Sequence, residues 1–279
     1  MSKIIQGLVT LTSIIRSSRK NNYSLSGKFN ICMILLSIYL KGIFNRKSTT
    51  ITQNIFGFSI TAYDSFTLGY LFKEIFINEE YKFTSNSKEP KIIDCGANIG
   101  LSTFYFKMLF PNCSIMAFEP NPYAFELLTK NVEQNKLKNV ELFNYALSNT
   151  EGKLDFFLNQ NKGSLEGSLI KKRGGQNILS VSIKPLSSFI LNHKINFIKI
   201  DVEGSERQVI EDLANNKLIE NVDQFIIEFH HQMEGESAYL SEFLNHFEKS
   251  NYGYNLSSKY QNVDTFQDIL IHAYKGHIM

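Results

Sequence analysis

From Lys91 onward, short β-branched apolar runs alternate with longer amphipathic stretches, and that alternation predicts a mostly parallel sheet covered by helices on both faces. The runs Lys91–Cys95, Ser114–Phe118, Val140–Tyr145, Phe197–Ile200 and Gln224–Phe229 read as its strands. Between them, Leu101–Leu109, Tyr123–Asn135 and Ser205–Leu213 have helical spacing, with Pro111 ending the first and Pro122 opening the second. Leu154–Leu158 and Leu179–Ile183 read as an antiparallel insertion around a Gly/Ser-rich stretch, 162–175. Ala238–Lys249 is a last helix, and Tyr252–Leu256 with Asp268–Tyr274 makes a closing hairpin.

Before Lys91 the pattern is different. Residues 1 to about 45 read as helical, with Ile4, Ile5, Leu8, Leu11, Ile14 and Ile15 on one face. Phe29–Leu40 is apolar and uncharged, but its 12 residues fall short of the roughly 20 needed to span a bilayer. The basic cluster of Arg16, Arg19 and Lys20 follows the first apolar set, the wrong side for a secretion signal. A pair of amphipathic helices capping the domain is therefore preferred to membrane-surface contact through residues 1–45. Thr49–Ala62 reads as one or two strands, and Asp64 caps a helix over Phe66–Ile77. The polar loop 84–90 marks the boundary between an N-terminal extension, 1–88, and a main domain, 89–279.

Composition narrows the class without deciding the chemistry. A hydrophobic content of 43% and a charged content of 20% fit a soluble globular protein. A net charge of +2 and no long basic run argue against nucleic acid as a partner. Cys32, Cys95 and Cys113 match neither a disulfide framework nor a zinc set, so a cytoplasmic location is expected.

The candidate chemistry gathers where strands end. Asp94, Gly96 and Gly100 form an Asp-x-Gly-x-x-x-Gly loop between a strand and a helix. Glycines let backbone approach a ligand there, but Asp94 stands where a dinucleotide fingerprint has its first glycine. A carboxylate repels pyrophosphate and suits a cation such as S-adenosylmethionine, which carries an ammonium and a sulfonium. Glu119 ends the next strand, roughly where a ribose-binding acid is expected. Asp201 and Glu203 end the fourth strand, and Glu228 and His230 the fifth. These groups can converge as bases, or as ligands for a divalent metal, which no strong spacing favours. His231 reads as an exposed loop residue, Ser205 as a helix cap and Glu206 as a first-turn acid favoured by the helix dipole.

Ile92 to Gly100, Phe118-Glu119-Pro120-Asn121-Pro122, Ala146-Leu147-Ser148 and Ile198 to Glu206 resemble the successive motifs of FkbM-type S-adenosylmethionine-dependent methyltransferases. The likeness spans roughly residues 90–250, and Tyr63 to Phe66 with Glu80-Tyr81 fits more loosely. It implies the class I, Rossmann-like methyltransferase sheet of seven strands ending in an antiparallel hairpin, behind an N-terminal helical extension. Asp94, Gly96, Ala97, Asn98 and Gly100 would hold the methionine part of the cofactor, and Glu119 the ribose. Tyr145 and Ala146 would border the adenine, and Asp201 and Glu203 would face methyl donor and acceptor. Asp201, Glu203 and His230 are the candidate bases for O-methylation of a hydroxyl on a sugar, glycan or secondary metabolite. The competing expectations are a membrane-surface scaffold with a degenerate domain, and a nucleotide-dependent oxidoreductase, which Asp94 disfavours. The oligomeric state is not legible.

Overall fold

The computed structural model describes residues 23–44, 50–158, 167–171, 175–232, 239–258 and 267–276. The apolar set from Ile4 to Ile15, most of the Gly/Ser-rich stretch and Ala238 lie outside those residues. A helix, α1 (Leu25–Phe44), precedes a hairpin of β1 (Ile51–Ile55) and β2 (Phe58–Ala62). Next comes α2 (Ser65–Phe72), capped by Asp64, whose Oδ1 accepts from the Thr67 N–H at 2.7 Å. The helix expected over Phe66–Ile77 is not uniform: α2 passes into a π-helical turn, Lys73–Ile77.

The main chain of elements follows as β3 (Lys91–Cys95), α3 (Leu101–Leu109), β4 (Ser114–Phe118), α4 (Pro122–Gln134) and β5 (Val140–Phe143). A smaller sheet comes from β6 (Ala146–Ser148), β7 (Gly152–Leu158) and β8 (Asn177–Pro185), with α5 (Ser187–Ile190) behind it. Then come β9 (Ile195–Ile200), α6 (Glu206–Asn215), β10 (Val222–His231), α7 (Leu240–Lys249), β11 (Tyr252–Ser258) and β12 (Gln267–Lys275). The large sheet has seven strands in the order β11-β12-β10-β9-β3-β4-β5. β10, β9, β3, β4 and β5 are parallel, and β12 inserts antiparallel between β10 and β11. This is the expected class I methyltransferase arrangement with its closing hairpin.

The central strands β3, β4 and β9 are covered on both faces, which explains why they read as mostly apolar runs. Ile92 and Phe197 enter one apolar cluster, while their neighbours Ile93 and Ile198 enter another on the opposite face. The first cluster also holds Ile31, Ile34 and Ile38 of α1 with Phe104 and Phe106 of α3, so residues before the loop at 84–90 share a core with those after it. Buried Asn131 of α4 ties the parts together. Its Oδ1 accepts from Thr61 N–H at 2.8 Å, and its Nδ2 donates to the carbonyls of Thr61 and Ile99 at 3.0 and 2.9 Å.

The expected strand Val140–Tyr145 stops early for a local reason. Asn144 Nδ2 donates to the carbonyls of Glu119 and Pro120 at 2.7 and 3.2 Å, which turns the chain before β6. His231 is the last residue of β10, not a loop residue.

Candidate active site

Strand β3 ends in Asp94-Cys95, and the chain must turn at once to start α3. Gly96 makes the turn at φ +82°, and a Cβ there would sit 1.8 Å from the Asp201 carbonyl oxygen. Glycine is therefore demanded by the neighbouring strand as well as by the backbone angle. The Gly96 and Ala97 N–H groups both donate to Phe118 O at 2.9 Å, and Asp201 N–H donates to Cys95 O at 3.1 Å. The ends of β3, β4 and β9 are thus locked edge to edge, at the carboxyl edge where open parallel sheets bind ligands.

A cavity of about 310 Å³ opens at this edge. Gly96, Ala97, Asn98, Glu119, Tyr145 and Ala146 line it, as do Asp201, Glu203, Glu228 and Asp268. Phe66, Tyr70 and Leu71 of α2, with Glu74 and Ile75 of the π-helical turn, form a further wall. Such turns recur at functional sites, and this one gave no sequence signal.

Asp94 and Gly100 do not line the cavity. Fully buried Asp94 lies beneath it, where Oδ2 accepts from the hydroxyls of Ser102 and Thr103, both at 2.7 Å. Its Oδ1 has no hydrogen-bond partner among the described residues and lies 3.7 Å from Lys199 Nζ. The expectation that Asp94 touches a ligand is corrected to an indirect role: it anchors the start of α3 and faces a buried cation.

Lys199 is the residue the sequence reading passed over. It is the one charged side chain of β9, 2% exposed, opposite Asp94 in the parallel pair β3–β9. Its ammonium donates to Gly96 O at 2.7 Å and Cys95 O at 3.3 Å, and approaches Asp201 Oδ2 at 3.3 Å. The Tyr81 ring centroid lies 5.1 Å from it, and Tyr81 Oη donates to Asp201 Oδ2 at 3.2 Å. Burial pulls Lys199 down, but Asp201 and Asp94 outweigh it and hold the ammonium charged. Burial likewise raises Asp201, yet Lys199 and His230 reverse that and keep its carboxylate below the usual range. A lysine flanked by Ile198 and Ile200 inside a central parallel strand was the available signal.

Glu119 ends β4 with both oxygens aimed at backbone: Oε1 accepts from Asn121 N–H and Oε2 from Asn98 N–H, each at 2.8 Å. Burial pushes its carboxyl up to about 7, against the downward pull of those two bonds. Each oxygen keeps a second lone pair, so a vicinal diol in the cavity could donate to both.

The third cluster differs from expectation. Ser205 holds the cap position of α6 without a side-chain bond. Buried Glu206 instead holds the loop that leads into the helix, its Oε1 accepting from Gly204 N–H at 2.9 Å and Val202 N–H at 3.3 Å. The same oxygen meets His230 Nδ1 at 2.9 Å, and His230 Nε2 lies 3.4 Å from Glu203 Oε2. Burial lowers the imidazolium's pKa, but Glu206, then Glu203 and Asp201, more than offset it and hold His230 at about 10. An imidazolium has no lone pair to accept a proton, so His230 is removed from the candidate bases. It does not line the cavity but sits behind Glu203, whose backbone is held at φ +55°. Glu228 lies beside them, and burial followed by Asp201 pushes its carboxyl well above the usual range. Asp201, Glu203 and His230 each offer a ligand atom within 4.8 Å of the others. A cation there would have to displace the His230 proton.

The methyltransferase FkbM domain model matches residues 94–256. Methyltransferase sdnD of Sordaria araneosa is 29% identical over 187 residues, covering 55% of this chain and 72% of that protein. 2-O-methyltransferase NoeI of Sinorhizobium fredii is 28% identical over 139 residues, covering 44% of this chain and 56% of that one. The crystal structure of methyltransferase FkbM from Methylobacillus flagellatus KT superposes with a TM-score of 0.50 at 12% identity, over 97% of this chain and 60% of that chain, a likeness of fold. The chain belongs to the FkbM methyltransferase family, and it is a methyl-transferring enzyme.

Proposed function

We propose that this FkbM-family methyltransferase uses S-adenosylmethionine to methylate a hydroxyl on a sugar, glycan or secondary metabolite. The observation that carries the reading is one cavity shared by two sets of groups. The Gly96–Asn98 loop and the Glu119 carboxyl line it together with Asp201 and Glu203. The donor set fits the cofactor, since Glu119 has spare acceptor capacity for the ribose diol and the ionised Asp201 suits a cationic ligand.

When bound, S-adenosylmethionine supplies a methyl group made electrophilic by its sulfonium. Everything else is work for the chain. Gly96, Ala97 and Asn98 line the loop side of the cavity, and Tyr145 and Ala146 border the neighbouring wall, where an adenine ring would lie. An acceptor hydroxyl needs its proton withdrawn as it attacks, and with His230 already protonated this falls to Asp201 or Glu203. Glu203 is the preferred base. Both carboxylates have a cation beside them, Asp201 the Lys199 ammonium at 3.3 Å and Glu203 the His230 imidazolium at 3.4 Å; Asp201 is fixed further by the Tyr81 hydroxyl, while Glu203 lines the cavity from a strained backbone. Phe66 and Tyr70 add aromatic surface to the cavity lining, suited to stacking on a sugar ring face.

The test is transfer of radiolabelled methyl from S-adenosylmethionine to a panel of glycosides, polyols and phenols. Label in an alkali-stable ether on any acceptor, abolished in Glu203→Gln with cofactor binding retained, supports the reading. Label that remains at the parent rate in Glu203→Gln removes Glu203 from the reaction.

A further inference from the structure

Helix α1 is apolar on two opposite faces, and among the described residues only one of them is packed against the fold. Ile31, Ile34 and Ile38 are buried against the hairpin and α2. On the other side Phe29, Met33, Leu36, Leu40 and Phe44 recur at intervals of three and four, so they form one continuous stripe. All five are exposed, Phe29 by 68% and Phe44 by 81%. A soluble monomer seldom leaves such a stripe in water. The helix is long and apolar enough to cross a bilayer. Its buried stripe, however, is committed to the domain core, which leaves the outer stripe to lie along a surface.

The charge distribution identifies the surface. The first 63 residues contain eight Lys or Arg and no Asp or Glu, while the remaining 216 carry 21 basic against 27 acidic residues. The near-neutral total therefore hides a basic N-terminal segment on an acidic catalytic body. Within that segment Lys28 lies on α1 itself, and Arg46 and Lys47 follow it directly in sequence. An apolar helical face in a segment free of carboxylates is the chemistry that binds anionic lipid headgroups. We propose that the outer stripe of α1 docks this protein on an anionic membrane surface. The cavity is one helix away: α1 packs on α2, with Gly69 of α2 against Ile38, and α2 places exposed Phe66 and Tyr70 at the cavity wall. Docking would hold the cavity close to lipid, so an acceptor carried on a lipid anchor would meet it without leaving the membrane.

The test is flotation of the full-length protein with vesicles of phosphatidylcholine alone and of phosphatidylcholine mixed with phosphatidylglycerol, at low and high salt. The inference predicts flotation with the anionic vesicles and loss of it as salt screens the charges. It also predicts a loss on the order of tenfold or more in Phe29→Glu/Leu36→Glu/Leu40→Glu, whose exposed positions leave the fold and cofactor affinity unchanged. Wild-type salt dependence needs no variant, so it decides the matter even if that protein does not fold. Equal flotation with neutral vesicles overturns the electrostatic argument. Absence of flotation overturns docking altogether, whether residues 1–22 cover the stripe or a second copy does, which light scattering would show as a dimer. None of these readouts depends on methyl transfer.

Discussion

Replacing Lys199 with Met tests whether the buried ammonium organises the site. At an effective dielectric of about 20, its pairs with Asp94 at 3.7 Å and Asp201 at 3.3 Å are each worth about 4 to 5 kcal/mol before desolvation. Desolvating three charges consumes much of that, so the pairs need not stabilise the fold on balance. Removing the cation alone is a different matter. It leaves fully buried Asp94 without its counter-charge, and strips the donor from the carbonyls of Cys95 and Gly96. The expected cost is about 4 kcal/mol, within the range for breaking buried pairs. For a chain of 279 residues that is a fall in Tm of roughly 10 °C. The assay is urea unfolding followed by circular dichroism, since the chain has no Trp. Adding Asp94→Asn removes the orphaned charge, so the double variant should recover about 2 kcal/mol relative to Lys199→Met. A loss below about 1 kcal/mol in Lys199→Met, or no recovery in the double variant, would refute the reasoning.

Three further outcomes are expected. His230 has a folded pKa of about 10 against an ordinary 6.5, so its stabilisation is fully present below 6.5 and disappears as pH rises through 10; chemical denaturation from pH 6 to 10 should show that decline, flattened in His230→Phe. The Glu119 carboxyl, raised to about 7, should release a proton when ribose hydroxyls donate to it. Calorimetry of cofactor binding near pH 6.5 in two buffers of different ionisation enthalpy should detect that proton, and Glu119→Gln should not show it. Gly96→Ala should abolish cofactor binding and lower Tm, because its Cβ meets the Asp201 carbonyl at 1.8 Å; retained binding would mean the loop is not part of the site.

The sheet was legible because its central strands bury both faces, and apolar runs closed by Gly or Pro leave little freedom in where they begin. Lys91–Cys95 and Ser114–Phe118 read from sequence as they stand in the fold. The cavity-lining residues Gly96, Glu119 and Asp201 were legible for a related reason, since each follows directly on a strand end. What escaped depends on contacts distant in sequence. Glu206 reads as a favourable first-turn acid until β10 brings His230 to 2.9 Å, across 24 residues. His230 reads as a base until the same contact, with Glu203, protonates it. Tyr81 reaches Asp201 across 120 residues, and no local pattern announces it. The break at Asn144 is set by carbonyls of another strand's end, so periodicity extended β5 too far. The exposed stripe of α1 was counted as apolar run length; which half of it is buried depends on how α1 packs against the rest of the fold.

The central claim is that the cavity at the ends of β3, β4 and β9 binds S-adenosylmethionine, and isothermal titration tests it most directly. Purified protein would be titrated in parallel with S-adenosylmethionine, S-adenosylhomocysteine and NAD. The account predicts saturable binding of the first two at one site per chain, weakened in Glu119→Gln, and no heat from NAD. Binding of NAD alone, or of none of the three, would contradict it.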